Sequence, residues 1–306
     1  MFTSIVFSKD RPLQLDLLLK SLASNCTDTK TFVLYTTSSD AYQESYLTLI
    51  QEHKDVEFVK QTYSIFDDVH NIVSNISDKY CCFLTDDCIF YRNLEINHED
   101  LDSIFDLTMG QLSGVEDSND KAISCLSLRL GTNTTTRQIN NQIIQDHVPS
   151  EIFVKDDKFL LWNWTNLAYG GYWCYPLSVD GHIFKTNLIK DYTEELVLLN
   201  THYSNRGVPR AKSAWKQTPN EFESKLQRFV FDLGPVCTSL KESHVVNSPN
   251  NMVQDSHLEN RSGDIYNYTA LDLKDEFDSG KRIDLNNLDF SGITCPHQEI
   301  DILRGL

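Results

Sequence analysis

Two adjacent carboxylates, Asp86 and Asp87, stand directly after a short apolar segment at residues 81–84. A run of this kind, bounded by polar residues, is typical of a strand buried on both faces. Carboxylates at the end of a buried strand are costly unless cations pair with them or they coordinate a metal. We therefore expect the pair to hold a divalent ion at the C-terminal edge of a parallel sheet, where open α/β sheets bind ligands. An isolated Asp-Asp pair also fits a plain acidic turn, so the rest of the chain must decide.

A second polar cluster, Ser8-Lys9-Asp10-Arg11, follows the first predicted strand at residues 4–7. No glycine-rich loop follows that strand, so the sequence lacks a standard dinucleotide or P-loop phosphate cradle. Arg11 can pair with a phosphate or stack on a base, and Lys9 offers a point charge for a phosphate. A solvated loop is the alternative, but the position after the first strand favours a ligand-binding role.

Strands and helices alternate through the first 90 residues. We expect strands at 4–7, 31–35, 56–59 and 81–84, and helices at 13–22, 41–53 and 66–76. This order predicts a parallel sheet with crossover helices. For the rest of the chain we expect strands at 122–131 and 236–246, helices at 99–112, 186–199, 218–231 and 270–278, and a loop at 132–145.

Composition and charge limit the class of protein. The 306 residues are 40% hydrophobic and 11% aromatic, which supports a sizeable folded core. The formal net charge of −17 makes the chain a poor candidate for binding nucleic acid through phosphate contacts. The eight cysteines form no CxxC pair and indicate reduced thiols in a cytoplasmic protein. We expect no signal peptide and no membrane-spanning segment.

Four further segments matter because of their order and spacing. They are Ile5-Val6-Phe7-Ser8-Lys9-Asp10-Arg11-Pro12-Leu13-Gln14-Leu15, Phe83-Leu84-Thr85-Asp86-Asp87, Ser178-Val179-Asp180-Gly181-His182-Ile183-Phe184 and Glu221-Phe222-Glu223-Ser224-Lys225-Leu226. In this order they resemble the opening, the Asp-x-Asp metal motif, the acceptor-side glycine segment and the Glu-Asp motif of GT-A-fold glycosyltransferases of the family-two type. The resemblance covers roughly residues 3–247. The chain departs from the pattern with Thr-Asp-Asp at the metal motif and Glu-Phe-Glu at the Glu-Asp motif.

The resemblance implies a GT-A-like α/β domain at residues 1–254, with a mostly parallel sheet flanked by helices. A nucleotide-binding half is expected at 1–98, an acceptor half at 99–254 and a packed C-terminal extension at 255–306. The implied activity is metal-dependent, inverting transfer of a sugar from a nucleotide-diphosphate donor to a glycan or glycolipid acceptor. Surface polysaccharide synthesis is the implied setting, in the cytoplasm and with at most peripheral membrane association.

The resemblance also implies a metal site and a nucleotide site. Mn²⁺ or Mg²⁺ would neutralise the leaving diphosphate, with Asp87 as direct ligand and Asp86 toward the ribose or a metal-bound water. His244 on a late strand can close the site from the far side, and an ordinary strand histidine is an equal alternative. The residues that we expect to border the nucleotide are Ser8, Lys9, Asp10, Arg11, Thr36, Ser38, Asp68 and Asp86.

An inverting transfer needs a carboxylate that removes the proton of the acceptor hydroxyl. Glu221 lies in a Thr-x-x-Glu capping box that begins at Thr218, with Pro219 at the first helical position, so it already has a structural role. Glu223 keeps the spacing of the family's base to the next apolar residue and is favoured, with Glu221 as the runner-up. Asp180, in an otherwise apolar segment, is the third candidate, and it can instead cap the helix that follows.

Two other functions are compatible with the sequence. One is a sugar-1-phosphate nucleotidyltransferase, which should carry a glycine-rich loop after its first strand. The other is a non-catalytic carbohydrate-binding protein on an inactive transferase fold. Aromatic residues are dense at 159–175, where we expect most to be core and some to line an acceptor cleft. The basic loop at 206–216 is either a lid over the diphosphate or a solvated loop.

Overall fold

The computed structural model describes residues 1–114, 122–139, 142–167, 170–205, 218–253 and 262–306. The strands are β1 (Thr3–Lys9), β2 (Lys30–Thr36), β3 (Val56–Lys60), β4 (Tyr80–Thr85), β5 (Cys88–Phe90), β6 (Ile123–Ser127), β7 (Thr136–Ile139), β8 (Gln142–Gln145), β9 (Phe153–Lys155), β10 (Phe159–Asn163), β11 (His182–Lys185), β12 (Val236–Leu240) and β13 (Val245–Asn247). The helices are α1 (Pro12–Asn25), α2 (Asp40–Glu52), α3 (Ile65–Ser74), α4 (His98–Phe105), α5 (Met109–Ser113), α6 (Thr186–Asn205), α7 (Pro219–Leu226) and α8 (Ala270–Asp278).

Nine strands form the central sheet, in the order β3-β2-β1-β4-β11-β6-β12-β10-β9. Strands β1 to β4 run parallel to one another, and β6 and β12 are also a parallel pair. Strand β11 runs antiparallel to both β4 and β6, and β10 runs antiparallel to both β12 and β9. Seven of the nine strands therefore point in one direction, which confirms the predicted α/β fold with a mostly parallel sheet.

The C-terminal ends of β1, β2, β4 and β6 lie at one edge of the sheet, and the start of β11 lies beside them. The amide of Gly181 donates to the carbonyl of Phe83, so Asp180 lies next to the end of β4. The amide of Leu128 donates to the carbonyl of Gly181, which brings Arg129 to the same edge. Gly181 has a φ of 78°, a left-handed conformation that glycine adopts without strain.

Alternating side chains of the strands pack into two hydrophobic clusters, one on each face of the sheet. On β1, Val6 belongs to the cluster that contains buried residues of α1, α4 and α8. Its neighbours Ile5 and Phe7 belong to the cluster that contains buried residues of α3, α6 and α7. The ring of Phe7 stacks on that of Phe83 with centroids 5.8 Å apart, and Phe222 of α7 packs against both. Helices on both faces thus fix the strands whose ends carry the polar side chains.

Local sequence explains most helix boundaries. Pro12 is the first residue of α1, and the side chains of Ser64 and Thr218 accept backbone amide hydrogen bonds at the starts of α3 and α7. The prediction of one helix at 99–112 is wrong, because Thr108 caps a separate helix, α5, after α4 has ended.

Two predictions for the later strands are also wrong. The predicted loop at 132–145 contains the antiparallel pair β7 and β8. The predicted strand at 236–246 is two strands, β12 and β13, and β13 pairs with β5 outside the central sheet. Strands β9 and β10 are additional to the predicted elements. No element is predicted at 153–155, and the segment from 159 onward is described only by its aromatic content.

The C-terminal extension packs on the α1 face of the sheet. Leu273 and Phe277 of α8 are buried in the cluster on that face, and Ile302 near the C-terminus joins them. Arg282 donates to both carboxylate oxygens of Glu52 at the end of α2, at 3.1 and 2.7 Å. The extension therefore completes a hydrophobic cluster of the sheet.

Two further predictions concern cysteines and membranes. All eight cysteines are free and buried, as expected for reduced thiols that behave as small apolar side chains. In the part of the chain that the structure describes, no helix has the length and apolar character needed to cross a membrane.

Replacing Phe277 with alanine should lower the free energy of unfolding by about 3–5 kcal/mol, because it leaves a cavity between α8 and the sheet. Leu271 lies on the same helix and is 57% exposed, so Leu271→Ala should change stability by less than about 0.5 kcal/mol. Urea unfolding followed by circular dichroism measures both. Equal effects of the two substitutions would contradict the packing of α8.

Candidate active site

Asp86 and Asp87 follow β4 and share one cation, Arg11. Its Nη1 atom lies 2.8 Å from Oδ1 of Asp86 and 2.9 Å from Oδ2 of Asp87. The other oxygen of Asp86 accepts hydrogen bonds from the Ser8 hydroxyl at 2.9 Å and the Lys9 amide at 3.0 Å. Burial raises the pKa of Asp86 to about 6, and the charge of Arg11 opposes that shift.

The end of β13 and the segment that follows it hold the same cluster from the opposite side. The side-chain amide of Asn247 donates to Oδ1 of Asp87 at 2.7 Å, and the Ser248 amide donates to the Asp87 carbonyl at 2.8 Å. The Nε atom of Arg11 donates to Oδ1 of Asn251 at 2.8 Å, and its Nη2 atom donates to the Asn251 carbonyl. The buried guanidinium is therefore held between the carboxylates and an asparagine.

Protein donors already engage the carboxylate pair, and one of these donors is the cation Arg11. Each of the four carboxylate oxygens already accepts a hydrogen bond from a protein donor. A carboxylate oxygen that accepts one hydrogen bond keeps a second lone pair. A divalent ion bound to both carboxylates would, however, stand beside the positive charge of Arg11, which bridges them. Among the described residues, the acids and histidine whose ligand atoms lie within 4.8 Å of one another are Asp16, Glu52 and His53. The residues after β4 therefore do not fit a directly coordinated ion in this arrangement, and Mn²⁺ or Mg²⁺ stays a prediction.

The loops after β1 and β2 lie together, as the nucleotide-site prediction requires. Oδ1 of Asp10 accepts a hydrogen bond from the Ser38 amide at 2.8 Å, and Asp10 has a left-handed φ of 53°. Lys9 and Thr36 are paired in the parallel register of β1 and β2. Within the described residues, the Lys9 ammonium group has no ion-pair partner. This group is therefore available to a ligand at the sheet edge.

Two predicted residues are engaged in other contacts. Both oxygens of Asp68 accept hydrogen bonds from Thr62, at 2.7 Å each, so the side chain fixes the loop before α3. His244 lies in the turn before β13, where its carbonyl accepts from the Tyr91 amide at 3.0 Å. Burial lowers the pKa of His244. Its ligand atoms do not form a group with the two carboxylates after β4 among the described residues, because the turn places it beside β5.

Asp180 is the centre of a second buried network. Its Oδ2 atom accepts from Nη1 of Arg129 at 2.7 Å and lies 2.6 Å from Nε2 of His297. Its Oδ1 atom accepts from Oγ1 of Thr85 at 3.0 Å and from Sγ of Cys88 at 2.9 Å. Burial acts to raise the pKa of Asp180, but Arg129 and His297 outweigh it and hold the pKa well below its usual range. Asp180 is therefore poorly suited to take up a proton.

Asn247 connects the two networks. Its side-chain amide nitrogen lies 2.7 Å from Oδ1 of Asp87 and 3.3 Å from Oδ1 of Asp180. The same nitrogen donates to Oγ1 of Thr85 at 3.0 Å. The side chain of Asn247 therefore links the C-terminal end of β4 to the start of β11.

Glu223 lies beside the Asp180 network but is bonded differently. Its Oε1 atom accepts from the Val179 amide at 3.1 Å, and Ser178 also contacts its carboxylate. Burial raises the pKa of Glu223, and the Val179 hydrogen bond and Arg129 oppose that shift. A carboxylate with a raised pKa and few donors is a stronger proton acceptor than an ordinary glutamate.

Glu221 has contacts that fit a structural role. Its backbone amide donates to the Thr218 hydroxyl at the helix start, at 3.2 Å. Its carboxylate lies 3.4 Å from the Lys225 ammonium group, one helical turn farther along α7. The sequence-based preference for Glu223 over Glu221 as the base stays a prediction that these contacts support.

Sequence reasoning missed four side chains of the two networks, namely Arg129, Asn247, Asn251 and His297. Arg129 had a usable signal, because it is a charged residue at the end of a predicted buried strand. His297 had none, since it lies in the irregular C-terminal extension, 117 residues from Asp180. Contacts over such separations leave no local pattern.

The aromatic segment is mainly core, as expected. Trp162 and Trp173 are buried and meet edge to face with centroids 4.7 Å apart. Tyr172 is partly exposed and packs edge to face against His297 at 5.2 Å. The predicted lid at 206–216 lies outside the described residues.

The chain is similar in sequence to a curated glycosyltransferase. The chain is 24% identical over 288 residues to the bifunctional glycosyltransferase pgtA of Dictyostelium discoideum, a match that covers 88% of this chain. The chain spans 33% of the length of that relative. This match confirms the predicted resemblance to glycosyltransferase enzymes. No protein-family model matches the chain.

Two solved structures show weak similarity to this chain. The TarS structure from S. aureus in complex with UDP aligns with a TM-score of 0.45 at 14% identity, covering 82% of this chain and 62% of that one. The glycosyltransferase GlyE of Streptococcus pneumoniae aligns with a TM-score of 0.32 at 11% identity, covering 91% and 63%. TM-scores of this size do not add to the sequence match.

Replacing Asp180 with alanine should lower the free energy of unfolding by about 3–5 kcal/mol, because it leaves Arg129 buried without its carboxylate. Glu57 pairs with Lys30 on the surface, where both side chains are about half exposed, so Glu57→Ala should cost less than about 1 kcal/mol. Thermal and urea unfolding report both values. A small effect of Asp180→Ala would show that the Arg129 pair is not buried as described.

Proposed function

We propose that this protein is a glycosyltransferase that moves a sugar from a nucleotide-diphosphate donor to a hydroxyl group of a glycan or glycolipid acceptor. The observation that carries the proposal is the network at one sheet edge, which runs from Asp86 and Asp87 through Asn247 to Asp180 and its neighbour Glu223. The basic loop after β1 and a carboxylate of raised pKa both lie at the edge where α/β sheets bind ligands, which supports the proposal. The sequence match to a glycosyltransferase supports the same class.

The loop after β1 supplies the donor side of the proposal. Lys9 carries an ammonium group without an ion-pair partner among the described residues, and it lies beside the end of β2. A lysine here is a point charge for a phosphate oxygen. Asp10 and Ser38 hold the two loops together through one hydrogen bond, so they set the shape of the nucleotide pocket. The Ser8 hydroxyl donates to Asp86, which ties the start of that loop to the end of β4.

The acceptor side of the proposal depends on Glu223. In an inverting transfer the acceptor oxygen forms a bond to the anomeric carbon as the bond from that carbon to the diphosphate oxygen breaks. The acceptor proton passes to a base, which we assign to Glu223 because burial raises its pKa. The leaving nucleoside diphosphate keeps the electron pair of the broken bond. Asp180 orients Arg129 and His297 in this scheme and takes no proton.

Three finer predictions are part of what we propose and are not used as evidence for it. They are the inverting outcome, a role in surface polysaccharide synthesis and a cytoplasmic setting. No step is assigned to a metal ion, because the positive charge of Arg11 already bridges the carboxylates after β4. A sugar-1-phosphate nucleotidyltransferase would be identified by release of pyrophosphate from a nucleoside triphosphate. A non-catalytic binding protein would turn over no donor at all.

Glu223→Gln should lower kcat by about 10²–10⁴-fold while nucleotide affinity stays within about twofold. The glutamine carbonyl can still accept from the Val179 amide, so the local fold is retained. Wild-type kcat should fall as pH decreases through a pKa above that of an ordinary glutamate, because the base must be ionised and burial raises its pKa. The acidic limb should be absent from the residual activity of the variant. Near wild-type turnover would move the role to Glu221.

Lys9→Met should weaken binding of the productive nucleoside diphosphate by about 5–50-fold, because it removes a cation from the diphosphate position. The matched control is Lys20→Met, which removes a lysine that pairs with Asp16 on α1. Isothermal titration calorimetry with UDP, GDP and CDP compares the variants. Equal affinity in wild type and Lys9→Met would remove Lys9 from the proposed donor site.

A further inference from the structure

We propose that Arg11 is the resident cation of Asp86 and Asp87, and that it closes these carboxylates to divalent metal ions. The proposed transferase would then use this sheet edge without Mn²⁺ or Mg²⁺. Metal-free sugar transfer at this edge rests on the proposed function. The exclusion of metal ions from Asp86 and Asp87 rests only on the contacts of Arg11.

Protein donors already engage the oxygens of both carboxylates. One nitrogen of Arg11 bridges an oxygen of Asp86 and an oxygen of Asp87, at 2.8 and 2.9 Å. The two remaining oxygens accept from Ser8, the Lys9 amide and Asn247. A divalent ion bound to both carboxylates needs their oxygens at about 2.0–2.6 Å, so it would stand beside the positive charge of Arg11 unless it displaced that arginine.

Several contacts hold the Arg11 side chain in place. Its Nε and Nη2 atoms donate to the side chain and the carbonyl of Asn251. Only 9% of the residue is exposed. A guanidinium that left the carboxylates would lose two charge-assisted hydrogen bonds and would stay buried without a counter-ion. Movement of the Arg11 side chain away from the carboxylates is therefore costly.

The backbone on both sides of Arg11 is constrained as well. Asp10, which precedes it, has a left-handed φ of 53° and accepts from the Ser38 amide at 2.8 Å. Pro12, which follows it, begins α1. The Arg11 amide also donates to the Tyr46 hydroxyl at 3.3 Å. Because both neighbours are constrained, the loop cannot carry the guanidinium away without breaking the start of α1.

Charge for the donor must then come from the protein. Lys9 adjoins the carboxylate cluster through its backbone amide, and its ammonium group has no ion-pair partner among the described residues. A single lysine charge can contact a diphosphate without a bridging ion. The inference thus assigns Arg11 to the carboxylates and Lys9 to the donor.

The test is a titration with MnCl₂ alone, read by the electron paramagnetic resonance signal of free Mn²⁺. Wild type and Asp87→Asn should give the same Mn²⁺ binding, because Asp87 takes no ion. Glu52→Gln is measured beside them, since Asp16, Glu52 and His53 are the other group that could bind Mn²⁺. One tightly bound Mn²⁺ that Asp87→Asn removes and Glu52→Gln leaves would overturn the inference.

Removal of the arginine gives the complementary result. Arg11→Met should bind one Mn²⁺ at least tenfold more tightly than wild type, and Arg11→Met with Asp87→Asn should lose that ion. Failure of a folded Arg11→Met protein to gain an ion would contradict the inference. If Arg11→Met does not fold, the comparison of wild type with Asp87→Asn still decides, because both retain the arginine.

The titration needs no substrate, so it is independent of the proposed function. A protein that transfers no sugar from any donor but excludes Mn²⁺ from Asp87 would refute the transferase and keep the inference. A protein that transfers sugar only with an ion bound through Asp87 would refute the inference and keep the transferase. Transfer that persists in excess EDTA supports both.

Discussion

Buried negative charge at the sheet edge is the constraint on which the rest of the site depends. Three aspartates, Asp86, Asp87 and Asp180, are buried where β4 ends and β11 begins. Charged groups in such a place need partners of opposite charge and full hydrogen bonding. Arg11 and Arg129 provide the charge, and asparagine, serine and threonine donors complete the bonding. The two ion-pair networks then meet through a single asparagine side chain.

These partners come from distant parts of the chain, so the fold and the site depend on each other. Arg11 follows β1, Arg129 follows β6, and His297 lies in the C-terminal extension. The extension is fixed by α8, whose apolar side chains pack against the sheet, and by the ion pair between Arg282 and Glu52. It therefore contributes both to the hydrophobic cluster and to the polar network. Glu223 differs, because the effect of burial, which raises its pKa, outweighs the opposing hydrogen bond from Val179 and the charge of Arg129.

The sequence predicted the elements whose signals are local. The apolar run before Asp86 gave a buried strand, and the spacing at 270–278 gave α8. The partners of the carboxylates could not be predicted in this way. Arg11 and Asn251 are 240 residues apart, and their contact exists only once the sheet has formed. The metal prediction rests on two acids at the end of a buried strand. Such acids need positive charge, and a buried arginine provides it as well as a metal ion does.

The central claim is that this sheet edge binds a nucleotide sugar with its diphosphate beside Lys9. A crystal structure of the Glu223→Gln protein with its bound donor tests this most directly. The account predicts density for the diphosphate at the ends of β1 and β2, with the anomeric carbon facing residue 223. Donor density elsewhere on the protein, or none at concentrations far above those of the cell, would contradict it.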